Sequence, residues 1–179
     1  MALKSTILKA RLDIADMDRG YYQTHDLTLA QHPSENDRRV MVRLLAFALN
    51  ASEDLAFTSG LSGDDEEPEL ADKDLTGAIR LWVAFGTPDE KWLRKASRRA
   101  GQVKLYTYGQ NSVPVWWQQN RELLSRLKNL EVWQLPEEPL DALALLVSRN
   151  MQLQFSVSDG EVWVSGDEHS APIGLEQLQ

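Results

Sequence analysis

Residues 77–99, GAIRLWVAFGTPDEKWLRKASRR, decide how the chain is read. Ile79, Leu81, Val83 and Phe85 alternate with Arg80, Trp82 and Ala84, the period of a strand whose side chains point to opposite faces. The spacing predicts a half-buried strand over 78–86, with the four apolar residues on the core face and Arg80, Trp82 and Ala84 together on the other. A helix follows, opened by Thr87-Pro88-Asp89-Glu90 with proline in its first turn. In it Lys91, Arg94, Lys95, Arg98 and Arg99 recur at i, i+3, i+4, i+7 and i+8, so five cations run along one face. Trp92, Leu93, Ala96 and Ala100 occupy the rest, suited to packing on a sheet. Such a stripe matches a row of phosphates, each neutralised charge adding a salt-dependent increment to affinity. A solubilising surface is the plainer role of the same charges.

Outward from this strand–helix unit the same two periods recur. STILKARLDIAD and YYQTHDLTLAQ alternate on either side of Met17-Asp18-Arg19-Gly20, which predicts an opening hairpin. His32-Pro33-Ser34-Glu35 starts a helix, with Ser34 as N-cap, Asp37 three residues on, and Val40, Met41, Leu44, Leu45 and Ala48 as its apolar face. Glu35 then lies in the first turn, where an acid interacts with the positive helix end. After the central unit come a strand over 102–108, a helix over 114–127 carrying Trp116 and Trp117, a strand over 130–135 and a helix over 140–147. MQLQFSVSDGEVWVSG closes the chain as a hairpin turning at Asp159-Gly160. The order ββαβαβαββ predicts a mixed sheet flanked by helices, with antiparallel hairpins at its ends.

Composition bounds the function. The 179 residues suit one domain with a real core, and 42% hydrophobic with 26% charged residues is ordinary for a globular protein. No apolar run approaches the roughly 20 residues of a membrane span, and the N-terminus alternates unlike a signal peptide, so the cytoplasm is the expected compartment. There is no cysteine, which excludes disulfides and thiolate metal sites. Lys and Arg number 19 against 27 Asp and Glu, and a net charge of −8 argues against wholesale coating of nucleic acid. The charges are segregated, however. Residues 64–74 hold seven acids (Asp64, Asp65, Glu66, Glu67, Glu69, Asp72, Asp74) against Lys73, whereas residues 91–104 hold six cations and no acid.

Neither GxxxxGK[ST] nor GxGxxG occurs, so no bound nucleotide is implied, and His25, His32 and His169 lack metal-ligand spacing. Trp82 stands out among the six tryptophans because it shares its strand face with Arg80.

Several segments together resemble the YaeQ family of bacterial proteins. They are MALKSTILKARLDIADMDR, LTLAQHPSENDRRVMVRLLAFAL, LWVAFGTPDEKWLRKASRRAGQVKLYTYG, VWWQQN and MQLQFSVSDGEVWVS. HPSE, GTPDE, YTYG and WWQQN stand at matching relative places, and the likeness spans almost the whole chain. The resemblance implies a fold similar to restriction endonucleases of the PD-(D/E)XK type. There, an acid in an early helix joins two acids on a strand to hold Mg2+, which activates water and stabilises charge on the scissile phosphate. Glu35 matches the helix acid. Arg80 and Ala84 fall where the resemblance puts the Asp and Glu of most relatives. Ala84 has no donor, and at about 4 Å a unit like charge costs about 4 kcal/mol at an effective dielectric near 20, doubled for a divalent ion.

The resemblance thus implies a catalytically degenerate site without a cofactor, in which Arg80 pairs with Glu35. The expectation is a single nuclease-fold domain over 1–179 that is not an enzyme and binds nucleic acid through Lys91, Arg94, Lys95, Arg98 and Arg99, or binds a protein. One alternative is a Mg2+-dependent nuclease with ligands displaced to Asp89 or Glu90. The other is a protein-interaction module linked to transcription, using the acidic stretch 64–74.

Overall fold

The first strand, Thr6–Asp16 (β1), buries Leu8, Ala10, Leu12 and Ile14 and exposes the residues between them, the alternation of a sheet with one wet face. It turns into Tyr21–Gln31 (β2), paired antiparallel from Thr6 opposite Gln31 to Asp16 opposite Tyr21. Its other edge takes Asn150–Ser158 (β8) in parallel, and β8 continues through a hairpin into Glu161–Ser165 (β9) and on to Ser170–Ile173 (β10). The two terminal hairpins are therefore neighbours in one five-stranded sheet, in the order β10-β9-β8-β1-β2. The turn at Asp159 and Gly160 has φ of 52° and 78°, the left-handed pair a tight hairpin requires, and both amides donate to the Asp18 carboxylate.

The remaining strands form a second sheet of six. Leu55–Phe57 (β3), Leu70–Lys73 (β4) and Ile79–Phe85 (β5) run antiparallel in turn; Ala100–Thr107 (β6) and Leu130–Gln134 (β7) follow β5 in parallel; and Glu176–Gln177 (β11) closes against β7. Helices Glu90–Arg99 (α2) and Ser112–Leu124 (α3) make the crossovers that parallel neighbours need. Asp37–Asn50 (α1) and Glu137–Ala144 (α4) are the other helices among the described residues. The computed structural model describes residues 4–58 and 67–179. The chain divides into two compact units, Met1–Leu49 with Glu138–Leu175 and Asn50–Glu137 with Glu176–Gln179. The expected single mixed sheet is thus two, because long β1 recruits the C-terminal hairpin and leaves the middle strands to pair among themselves.

In the first unit α1 is buried on every side from Val40 to Ala48, not only along the predicted stripe. It also starts later than the sequence suggests. The Ser34 hydroxyl is engaged by His32 Nδ1 at 2.6 Å, and Asn36 caps the helix instead, its Oδ1 accepting from the Arg39 amide at 2.9 Å. In the second unit the β5 face bearing Trp82 and Ala84 packs beneath α2 and α3 with Leu93, Ala96, Val103, Leu105 and Trp116. Asp89 caps α2, its Oδ1 accepting from the Trp92 amide at 2.7 Å. Among the described residues no helix is long and apolar enough to cross a membrane.

Candidate functional site

Strand β5 is a central strand covered on both faces from Trp82 onward, which corrects the half-buried reading: Trp82, Val83 and Ala84 are all buried. Only Arg80 keeps its side chain in solvent. Trp82 is 2% exposed, meets Trp92 edge to face at 5.6 Å and lies under the Arg99 guanidinium at 5.3 Å, so it is a core residue. Ala84 is enclosed in the same apolar cluster. At the strand start, Gly101 of β6 runs so close that a Cβ there would stand 3.1 Å from the Arg80 carbonyl oxygen, which fixes the backbone from which Arg80 projects.

The expected pair between Glu35 and Arg80 is replaced by partners inside each residue's own unit. Arg80 Nε donates to Asp72 Oδ1 at 2.8 Å and its Nη2 to Asp54 Oδ2 at 2.7 Å. The hydrogen bonds it donates to Asp72 first and then to Asp54 hold the Arg80 pKa above its ordinary value. Asp72 also accepts from the Ser52 hydroxyl at 3.0 Å. Glu35, which precedes α1 rather than opening it, takes Arg39 Nη1 on Oε2 and Arg43 Nη2 on Oε1, each at 2.5 Å. Arg43 also donates to the Ala30 carbonyl at 3.2 Å. The signal for this arrangement was in the sequence, because Arg39 and Arg43 stand four and eight residues after Glu35, adjacent turns of one helix face. Asp54 and Asp72 carried no such signal, since a loop and a neighbouring strand supply them.

Lys91, Arg94, Lys95, Arg98 and Arg99 are all exposed along α2, as their spacing predicts. Arg94 pairs with Glu90 within the helix, and Arg99 reaches Glu67 at 3.1 Å. The α3 end and the turn after it add exposed Arg121, Arg126 and Lys128. Residues 88–128 thus contain nine Lys and Arg against three Asp and Glu, inside a chain of net charge −8. Extending the charge tally through α3 would have found these three cations. Of the acids expected as displaced ligands, Asp89 is engaged as the α2 cap and Glu90 by Arg94. Of the acidic stretch, Asp64, Asp65 and Glu66 lie outside the described residues. Glu67 pairs with Lys73 and Arg99, and Asp74 closes its own turn by accepting from Thr76 and Ala78.

The family model described as YaeQ protein matches residues 1–175. The chain belongs to the YaeQ family. Two relatives, each called uncharacterized protein YaeQ, come from Escherichia coli K12 and Salmonella typhi; they are 42% and 41% identical over all of this chain and 98% of their own. The crystal structure of YaeQ protein from Xanthomonas axonopodis pv. citri is 44% identical with a TM-score of 0.93, covering 98% of both chains. That of YaeQ protein from Pseudomonas syringae is 36% identical with a TM-score of 0.92, covering 98% of this chain and 96% of that one. The mixed α+β architecture with two sheets is therefore that of solved YaeQ structures.

Proposed function

We propose that this YaeQ-family chain binds nucleic acid through the helical layer of its second unit, without cutting it. The observation that carries the reading is the exposed cation stripe of α2, extended by Arg121, Arg126 and Lys128, on a chain that is otherwise strongly acidic. A partner attracted to this surface against the net charge must be locally polyanionic, and a phosphodiester backbone supplies charges in a row. Long solvated lysine and arginine side chains suit sequence-independent pairing with phosphates.

What favours binding over metal-assisted cleavage is the chemistry at the positions the family resemblance names. Both Glu35 oxygens are engaged by guanidinium groups, Ala84 offers no donor, and Arg80 is a cation bridging two carboxylates. On this reading positions 80 and 84 belong to a nuclease-like site that has lost its metal acids.

The test is fluorescence anisotropy with a labelled oligonucleotide at several salt concentrations. Binding should weaken steeply with salt, and the Lys91→Gln/Arg98→Gln variant should lower the log–log slope by roughly one for each phosphate no longer neutralised. Arg11→Gln, on the first unit, serves as the control and should leave the slope unchanged. Salt-independent binding, or an unaltered slope in the double variant, overturns the proposal.

A further inference from the structure

The open face of the five-stranded sheet carries a feature that the basic helix does not use. Cross-strand register places Tyr22, Ala15, Ser156, Trp163 and Pro172 in one row across β2, β1, β8, β9 and β10. Tyr22 is 58% exposed and Trp163 46%, and only the small side chains of Ala15 and Ser156 separate them. Beside Trp163 is a cavity of about 360 Å³ lined by Ser156, Ser158, Asp159, Glu161 and Trp163. Neither Asp159 nor Glu161 forms an ion pair among the described residues. Residues 150–179 hold five Asp and Glu and no Lys or Arg. On this face Arg11 is two rows away and held by Asp26.

We propose that this cavity receives a guanidinium or ammonium group of a basic polypeptide partner, stacked on Trp163 and facing Glu161 and Asp159. A cation over an indole face is attracted by the ring quadrupole, and two carboxylates without an ionic partner add a field of the same sense. Ser156 and Ser158 hydroxyls accept its remaining N–H donors. A neutral polyol would gain the stacking and the hydroxyls but nothing from the charge, and a phosphate chain would be repelled. Charge complementarity therefore selects a basic segment.

The register gives that segment a length. Trp163 and Tyr22 stand three strand spacings apart, roughly 14 Å. An extended chain covers this in about four residues, so a peptide crossing the strands would set one cation on each aromatic ring. Asp13 adjoins Tyr22, across the Thr24 pair of the next row.

The experiment follows the six tryptophan indole N–H resonances by NMR, with Trp163→Phe identifying the Trp163 signal. The probe is the capped peptide Arg-Gly-Gly-Gly-Arg. It should shift the Trp163 resonance in a saturable, salt-weakened manner, at least about three-fold more tightly than an analogue with one Arg replaced by citrulline. Glu161→Gln, at an exposed position that leaves the fold intact, should weaken binding about two-fold. Equal binding of a peptide in which both arginines are citrulline overturns the proposal, as does no shift with the arginine peptide. A trisaccharide that shifts the resonance where the peptide does not would make the row a sugar platform instead.

Discussion

Two guanidinium–carboxylate clusters, one in each unit, have nearly the same pairing geometry and opposite surroundings. Glu35 with Arg43 is taken out of water, at 7% and 9% side-chain exposure. Arg80 is 51% exposed, and its partners Asp54 and Asp72 are 60% and 16% exposed. Distances alone would rate them alike. Desolvation separates them, because a charge moved out of water depends on its partner, whereas an exposed charge loses an ion pair and regains hydration. The Glu35 cluster holds the entry to α1 against β2, through Arg43 and the Ala30 carbonyl, and the Arg80 cluster ties the start of β5 to the neighbouring β4.

The largest effect that tests this contrast is expected from Glu35→Ala. It leaves the buried Arg43 guanidinium without its carboxylate, and urea unfolding should show a loss of about 3–5 kcal/mol. Replacing both charges with apolar residues, Glu35→Leu with Arg43→Met, should recover most of that loss, since neither buried charge then needs a partner. A Glu35→Ala midpoint equal to that of the parent would mean that Arg43 reaches water, and the contrast would fail.

A smaller effect is expected from His25, which lies between the two extremes of exposure. Its Nε2 is 2.6 Å from Tyr21 Oη and its ring meets Phe47 of α1 edge to face at 5.1 Å. Burial lowers its pKa below that of an ordinary imidazole. The folded chain therefore holds His25 neutral where the unfolded chain, titrating near 6.5, still binds a proton. Its contribution is complete above the unfolded pKa and is lost as pH falls toward the folded one, so stability should rise with pH through that window. Tm measured from pH 7.5 downward should fall less steeply below about 6.5 in His25→Gln than in the parent. Parallel curves would show that the imidazole is equally hydrated in both states.

Local periodicity revealed the elements far better than their assembly. The terminal hairpins, the Asp159-Gly160 turn, the α2 stripe and the β5–α2–β6 unit were all legible, because each depends on residues close in the chain. The division into two sheets was not, since it turns on β1 pairing with a strand some 140 residues away in parallel, and alternation does not name a partner. The burial of Trp82 and Ala84 was missed for a related reason. Their face alternates with an apolar one, and only the crossover helices show that both faces are covered. The Glu35–Arg80 pair came from resemblance, and it gave way to nearer partners. For Glu35 these were helical neighbours legible from spacing; for Arg80 they came from a loop and an adjacent strand.

Arg80 itself should give the smallest effect, and that is what makes it diagnostic. In Arg80→Ala Asp54 stays in water, while Asp72, only 16% exposed, gains the space the guanidinium vacates and retains the Ser52 hydroxyl, so no carboxylate is stranded. The urea midpoint should stay within error of the parent at low salt and at high salt alike, because an exposed pair is screened and its loss is compensated by hydration. A drop comparable to that of Glu35→Ala would show that the two carboxylates repel strongly once the guanidinium is gone. The β4–β5 pairing would then depend on Arg80 as an internal counter-ion, and exposure would no longer separate the two clusters.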